Sequence, residues 1–203
     1  MNYSDPSAGR GNGNLQQRPL VVWFTGLSGA GKTTLARGLQ QRFRQNGYPS
    51  VILDGDELRD GINSGLGFSK EDRMENIRRA AEIAKIINNN EIFCIVSTIS
   101  PYPELREKAR MIIGVESFVE VFVNTPFSLC EERDVKGFYK KARQNQVADF
   151  TGVQDAYIPP ENPDLEIRTD ILSIESAVSK IFTYLELRKV NLHRSASVLP
   201  ASL

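Results

Sequence analysis

The sequence predicts an α/β fold: a three-layer α/β/α domain on a mostly parallel five-stranded sheet, with a basic lid loop. Two observations carry this. Short apolar runs alternate with stretches of helical periodicity from residue 20 onward, the pattern of strands joined by crossover helices. From Asp134 to Pro163 both periods disappear, and so long a break inside one domain reads as a functional loop.

Leu20 to Phe24 is an apolar run and reads as the first strand, and Leu35, Leu39 and Phe43 keep helical spacing behind it up to a stop at Asn46-Gly47. Val51-Ile52-Leu53 is the second strand. Ser69-x-x-Asp72 has the form of a capping box, and Ile77, Ala80, Ala84 and Ile87 share one face of the helix it opens, which stops at Asn88 to Asn90. Ile92 to Val96 is the third strand, a helix follows near Glu104 to Ile113, Phe118 to Val123 is the fourth strand, and Pro126 opens the next helix. After the basic segment, Leu165 to Arg168 is a last short strand, and Ile174, Val178, Ile181 and Leu185 face one way on a final helix. Residues 1–17, rich in Gly, Ser, Asn and Gln, read as a disordered leader, 18–190 as one folded domain and 191–203 as a flexible tail.

Composition narrows the function. The chain has 203 residues, 25 Lys+Arg against 25 Asp+Glu, and 40% hydrophobic residues, the profile of one soluble domain. No apolar run reaches the roughly 20 residues that span a bilayer, and the start, Met1-Asn2-Tyr3-Ser4-Asp5, lacks the pattern of a signal peptide. A cytoplasmic protein without a membrane partner is expected. Balanced charge argues against a general nucleic-acid binder, which needs cations for phosphate contacts. Cys94 in an apolar run and Cys130 in a helix read as core thiols, and the single His193 sits in the polar tail. Triads, Cys/His pairs and zinc clusters therefore have no residues to build them, and chemistry falls to Asp, Lys, Arg, Ser and the backbone.

Gly26-Leu27-Ser28-Gly29-Ala30-Gly31-Lys32-Thr33 matches G-x-x-x-x-G-K-[ST] between a strand and a helix, the context of a P-loop NTPase. Its glycines let backbone NH groups face phosphate oxygens at the helix amino end, Lys32 reaches the β and γ phosphates, and the Thr33 hydroxyl ligates Mg²⁺. The glycine order is wrong for a dinucleotide loop, and no N-K-x-D base reader of a guanine-nucleotide switch is present. Asp149-Phe150-Thr151-Gly152 matches D-x-x-G only inside the polar segment.

Asp54-Gly55-Asp56 follows the second strand, at the strand end that faces the ligand crevice. One carboxylate is a candidate base; a solvated surface turn is the alternative. Arg59, Arg73, Arg78 and Arg79 with Asn76 suggest a second anion site, or a helix face ion-paired to Glu71, Asp72 and Glu75. Phe68 and Phe150 either stack on a base or belong to the core. Arg133, Lys136, Lys140, Lys141 and Arg143 are cations for clamping a phosphoryl group, with a nucleic-acid contact as the competing view.

From about Leu20 to Asp170 the chain resembles the adenylylsulfate kinase family. The resemblance rests on the glycine loop, Leu53-Asp-Gly-Asp56 with Arg59, Leu66-Gly-Phe-Ser69, Asp72-Arg73, Glu75-Asn-Ile-Arg-Arg79 and Ile99-Ser-Pro-Tyr102. Glu132-Arg-Asp134, Lys136-Gly137, Tyr139-Lys-Lys-Ala-Arg143, Phe150-Thr-Gly152 and Pro160-Glu-Asn-Pro163 complete it. It implies ATP and Mg²⁺ as cofactors, adenylyl sulfate as substrate, 3′-phosphoadenylyl sulfate and ADP as products, and a homodimer. Carried over residue by residue, it implies that Asp56 orients or deprotonates the ribose 3′-hydroxyl. Gly26 to Thr33, Thr34 and Arg133 hold the nucleotide; Asp54, Arg59, Arg73, Asn76 and Ile99 line the substrate; Phe68 and Phe150 sandwich the adenine. Lys136 lies near the phosphates, and Ser100 matches the family serine described as a phosphorylated intermediate, although in-line transfer needs no covalent enzyme. Two positions depart from the pattern: Pro103 stands where many members carry Arg, with Arg106 the next basic residue, and Thr98 stands where an aromatic is common. The alternatives are a kinase for another nucleotide 3′-hydroxyl or a sugar, and a catalytically silent nucleotide-binding module.

Overall fold

Strands β1 (Val21–Thr25), β2 (Ser50–Asp54), β3 (Phe93–Ser97), β4 (Phe118–Val123) and β5 (Leu165–Ile167) form one sheet in the order β2-β3-β1-β4-β5, every pairing parallel. The structure is a computed structural model that describes residues 19–134, 137–144, 146 and 150–196. Helices α1 (Lys32–Gln45), α2 (Gly55–Asp60), α3 (Lys70–Asn89), α4 (Pro103–Ile113), α5 (Phe127–Arg133), α6 (Phe138–Arg143) and α7 (Ile174–Ala196) connect and cover it.

Alternation along the central strands divides the core into two layers. Val22 and Phe24 of β1 point to the face covered by Leu35, Leu39 and Phe43 of α1 and Ile181 and Leu185 of α7. Val21 and Trp23 point to the other face, against Ile77, Ala80 and Ala84 of α3 and Leu105 and Ala109 of α4. Side chains of a strand alternate with period two, so a parallel strand covered on both sides is apolar throughout, and all five residues of β1 are buried. The chain places β2 and β3 on one side of β1, then β4 and β5 on the other. The loop after β1 therefore lies where strand order reverses, and a crevice opens there at the carboxyl ends of parallel strands.

Most sequence expectations hold to within a residue or two at element ends. Ser69 accepts a hydrogen bond from the Asp72 amide at 3.1 Å, the cap its spacing predicts. Cys94 and Cys130 are buried; burial pushes the Cys94 thiol up to about 12 and raises Cys130 as well. Two expectations change. The segment after Asp134 contains α6, a six-residue helix burying Tyr139 and Ala142, too short to display a period. Helix α7 takes in residues 191–196, which the sequence reading placed in the tail. The leader, residues 197–203 and Lys136 lie outside the described residues. Among those described, no helix is long and apolar enough to cross a membrane.

Candidate active site

The glycine loop requires glycine at two points for steric reasons. Gly26 has φ 148°, and a Cβ there would sit 2.6 Å from the Val123 carbonyl oxygen; at Gly29, φ 74°, it would sit 2.7 Å from the Cys130 carbonyl oxygen. No L side chain fits either position. The loop leads into the 14-residue helix α1, whose amino end is electropositive.

A collar of donors takes up the loop's carbonyls. Lys32 Nζ donates to Gly26 O at 2.9 Å and Leu27 O at 2.7 Å. Tyr139 OH donates to Ser28 O at 2.9 Å, and Arg133 Nη1 to Gly29 O at 3.3 Å. Thr125 and Thr169 hydroxyls lie 2.9 and 3.0 Å from Ala30 O, and Arg133 also grips Thr169 through its hydroxyl and carbonyl oxygens. Trans peptide geometry sets each NH opposite the preceding carbonyl, so drawing the carbonyls outward turns the following amides the other way. Such amides suit an anion.

Asp54 connects this loop to the next element. The last residue of β2, it is buried, accepts from Thr33 Oγ1 at 2.8 Å through Oδ2, and caps α2 by accepting from the Asp56 amide at 3.0 Å through Oδ1. Ser97 Oγ stands 3.4 Å from Thr33 Oγ1. Of the two expected aspartates, only Asp56 is exposed; the solvated-turn alternative fails for Asp54 because its carboxylate is committed at both oxygens. The donor set here, one carboxylate and two hydroxyls, is all hard oxygen. It fits Mg²⁺, which keeps few protein ligands and takes the rest from water and phosphate, and among the described residues no cluster of three or more His, Cys, Asp or Glu offers a richer cage.

Across from the loop, Arg59 and Arg73 both lie over the half-exposed Phe68 ring, 4.4 and 5.6 Å from its centroid. Arg59 donates to Leu66 O at 3.2 Å and Gly67 O at 2.9 Å. Arg73, buried, donates from Nε to Phe68 O at 2.9 Å and pairs with Asp155 at 3.4 Å. Burial, and next the charge of Arg73, hold Arg59 below its ordinary value. Asn76 accepts from Asn63 Nδ2 at 2.9 Å within the interior. Arg78 and Arg79 part from this group: both bond Glu75, at 2.7 to 2.9 Å, and those bonds hold its carboxyl down to about 2. The ion-paired helix face is the correct description for that pair.

Ile99 and Ser100 follow β3. Ile99 O accepts from Thr25 Oγ1 at 2.8 Å and from the Gly26 amide at 3.4 Å, tying this turn to the glycine loop. Ser100 has φ 39° and is 2% exposed; its Oγ accepts from Trp23 Nε1 at 3.1 Å and lies 3.2 Å from Thr98 Oγ1. A phosphorylated hydroxyl would have to leave this pocket, so the intermediate role finds no support in its surroundings. Arg106, the basic residue beyond Pro103, donates to Ser100 O at 2.9 Å and pairs with Glu120. Glu120 Oε1 stands 3.0 Å from Arg106 Nε without the alignment of a hydrogen bond, and burial raises its carboxyl despite Arg106 and Arg110.

Phe150 does not join Phe68 among the described contacts. It is buried, edge-on to Tyr139 at 5.0 Å and tilted on Phe138 at 6.0 Å. Sequence reasoning missed Thr125, Thr169 and Asp155, and singled out Tyr102 and Tyr139 only as parts of quoted stretches. Thr125 and Thr169 lie just beyond β4 and β5, and that position at strand carboxyl ends was the one signal available.

The sequence model of the family described as adenylylsulphate kinase matches residues 18–168. The chain is 51% identical over 172 residues to the adenylyl-sulfate kinase of Rippkaea orientalis, covering 85% of this chain and 94% of that one. It is 52% identical over 170 residues to that of Halothermothrix orenii, covering 84% and 91%. Among solved structures, the Mycobacterium tuberculosis APS kinase CysC in complex with AMPPNP and APS superposes with a TM-score of 0.80 at 41% identity, covering 83% of this chain and 98% of that one.

Proposed function

The chain belongs to the adenylylsulphate kinase family, and on that premise we propose that it transfers the γ-phosphoryl of ATP to the ribose 3′-hydroxyl of adenylyl sulfate, giving 3′-phosphoadenylyl sulfate and ADP. One observation supports the reading most: the buried Asp54 carboxylate holds Thr33 of the phosphate loop and the amide of Asp56 at once. Phosphoryl transfer is mostly positioning and charge neutralisation, and this link fixes the spacing between the donor's γ-phosphate and a carboxylate facing the acceptor.

In this reading the amides of Gly26 to Thr34 surround the ATP phosphates, Arg133 braces the loop from behind, and Lys32 exchanges its two loop carbonyls for β- and γ-phosphate oxygens. Thr33, with Asp54 beside it, holds Mg²⁺, and the ion supplies neutralisation of phosphate charge when bound. Asp56, exposed in the first turn of α2, accepts the proton of the 3′-hydroxyl as the oxygen attacks. Arg59, Arg73 and Asn76 take the phosphosulfate, and Phe68 takes a face of the adenine. Ser100 is a positioning residue: its buried hydroxyl fixes the turn that carries Ile99 to the glycine loop. The reading also takes 18–190 as the catalytic unit, a homodimer as the assembly, and the cytoplasm as the location.

Transfer of label from γ-labelled ATP to adenylyl sulfate tests it in the wild type, Asp56→Ala and Lys32→Ala. Turnover falls by about 10² or more in both, while Asp56→Ala keeps its affinity for ATP. Near-normal turnover in both variants overturns these roles.

A further inference from the structure

Asp155 has no part in the transfer as derived above, yet it meets the acceptor side directly. Its carboxylate stands 3.4 Å from Arg73 Nη2 and accepts from Tyr102 OH at 2.5 Å through each oxygen. Its own backbone is folded tightly: its amide donates to Phe150 O at 3.2 Å, and its carbonyl accepts from the Gly152 amide at 2.7 Å. One carboxylate thus joins α3, the residues after β3 and the stretch 150–157.

The place it occupies is built for an anion. Arg59 and Arg73 share the Phe68 ring, at 4.4 and 5.6 Å from its centroid, and burial, then the charge of Arg73, hold Arg59 below its ordinary value. Two guanidiniums this close favour a negative group between or beside them. Arg73 is itself buried, so an uncompensated charge there is costly, and Asp155 supplies compensation from a different part of the chain.

We propose that Asp155 stands in for the acceptor's anion, holding Arg73 until the phosphosulfate of adenylyl sulfate displaces it and releases the 150–157 stretch. The proposal rests on the reading that Arg73 binds the phosphosulfate. Its consequence is competition within the protein: the acceptor's apparent affinity is reduced by the fraction of molecules in which Arg73 is already released. Tyr102 strengthens the competitor by fixing the carboxylate with a charge-assisted hydrogen bond. Acceptor arrival would thereby be felt in a stretch that contains Phe150, the second aromatic expected at the adenine.

Equilibrium binding of adenylyl sulfate to the ADP-loaded full chain tests this, using wild type, Asp155→Asn, Asp155→Glu, Tyr102→Phe and Arg73→Ala. Removing the charge at 155 tightens acceptor binding by about threefold to tenfold, leaves ADP affinity unchanged, and Asp155→Glu returns it to within about twofold of wild type. Tyr102→Phe tightens it by a smaller factor. A merely structural role for Asp155 predicts weaker binding, so unchanged or weaker affinity in Asp155→Asn overturns the proposal. If that variant does not melt cooperatively, the same criterion applies to Tyr102→Phe. Unchanged affinity in Arg73→Ala overturns the parent reading and the proposal with it, whereas a loss in Arg73→Ala without a gain in Asp155→Asn overturns the proposal alone.

Discussion

The glycine loop and the acceptor side are held in different ways. Around the loop, Tyr139, Arg133, Thr125, Thr169 and Lys32 fix the carbonyls from Gly26 to Ala30, and two glycines sit where no side chain fits. Across the crevice, Phe68 is 45% exposed, and Arg73 is tied to a distant stretch through an ion pair with Asp155 at 3.4 Å. One half is finished before its ligand arrives; the other, on the proposal made for Asp155, is held in a provisional arrangement. The contrast matches what each must do. Phosphate binding by backbone amides needs fixed geometry, whereas a site that encloses a nucleotide acceptor has to open for it.

The largest break in this comparison should come from Gly29→Ala, whose new Cβ meets Cys130 O at 2.7 Å. Because backbone has to move, ATP affinity should fall by about a hundredfold or more, measured by calorimetric titration, with the melting temperature lowered as well. Next is Arg73→Ala: acceptor KM should rise by about ten- to a hundredfold, while KM for ATP stays within about twofold, a split that steady-state kinetics with each substrate varied in turn reads directly. An equal rise in both would mean the two halves are not separable.

Tyr139→Phe sharpens the other side. It removes the hydrogen bond to Ser28 O and keeps the ring on Phe127 and Phe150, so about 0.5–1.5 kcal/mol of stability should be lost, with a few-fold rise in KM for ATP and none for the acceptor. The smallest effect concerns Glu75. Its carboxyl in the folded chain is held at about 2 against 4.5, a depressed value, so the contribution is present above pH 4.5 and is lost as pH falls toward 2. The exposed pair is screened by solvent. Thermal melts across that window should show the wild type losing slightly more stability than Glu75→Gln; parallel curves would show that the pair contributes nothing.

The sheet was legible because its determinants are local. Apolar runs such as Val21 to Phe24 and periodic faces such as Ile77, Ala80 and Ala84 are written in consecutive residues. Helix α6 was not, since six residues show no period. In the site, the phosphate loop was legible because its motif is contiguous. Its collar was not: Thr125 reaches Ala30 across 95 positions and Tyr139 reaches Ser28 across 111, and no local pattern marks a side chain destined for a remote carbonyl. The burial of Asp54 was hidden for the same reason, because its partner Thr33 lies 21 positions earlier on another element. Arg78 and Arg79 look like Arg59 and Arg73 in sequence, and only Glu75 one turn away separates them.

The most direct measurement is ADP release by the wild-type chain with MgATP, in the presence and absence of adenylyl sulfate, followed by identification of the nucleotide product on an anion-exchange column. The account predicts ADP formation that depends on the acceptor and a stoichiometric product phosphorylated at the ribose 3′ position. ADP formed at the same rate without acceptor, or adenylyl sulfate recovered unchanged, would contradict it.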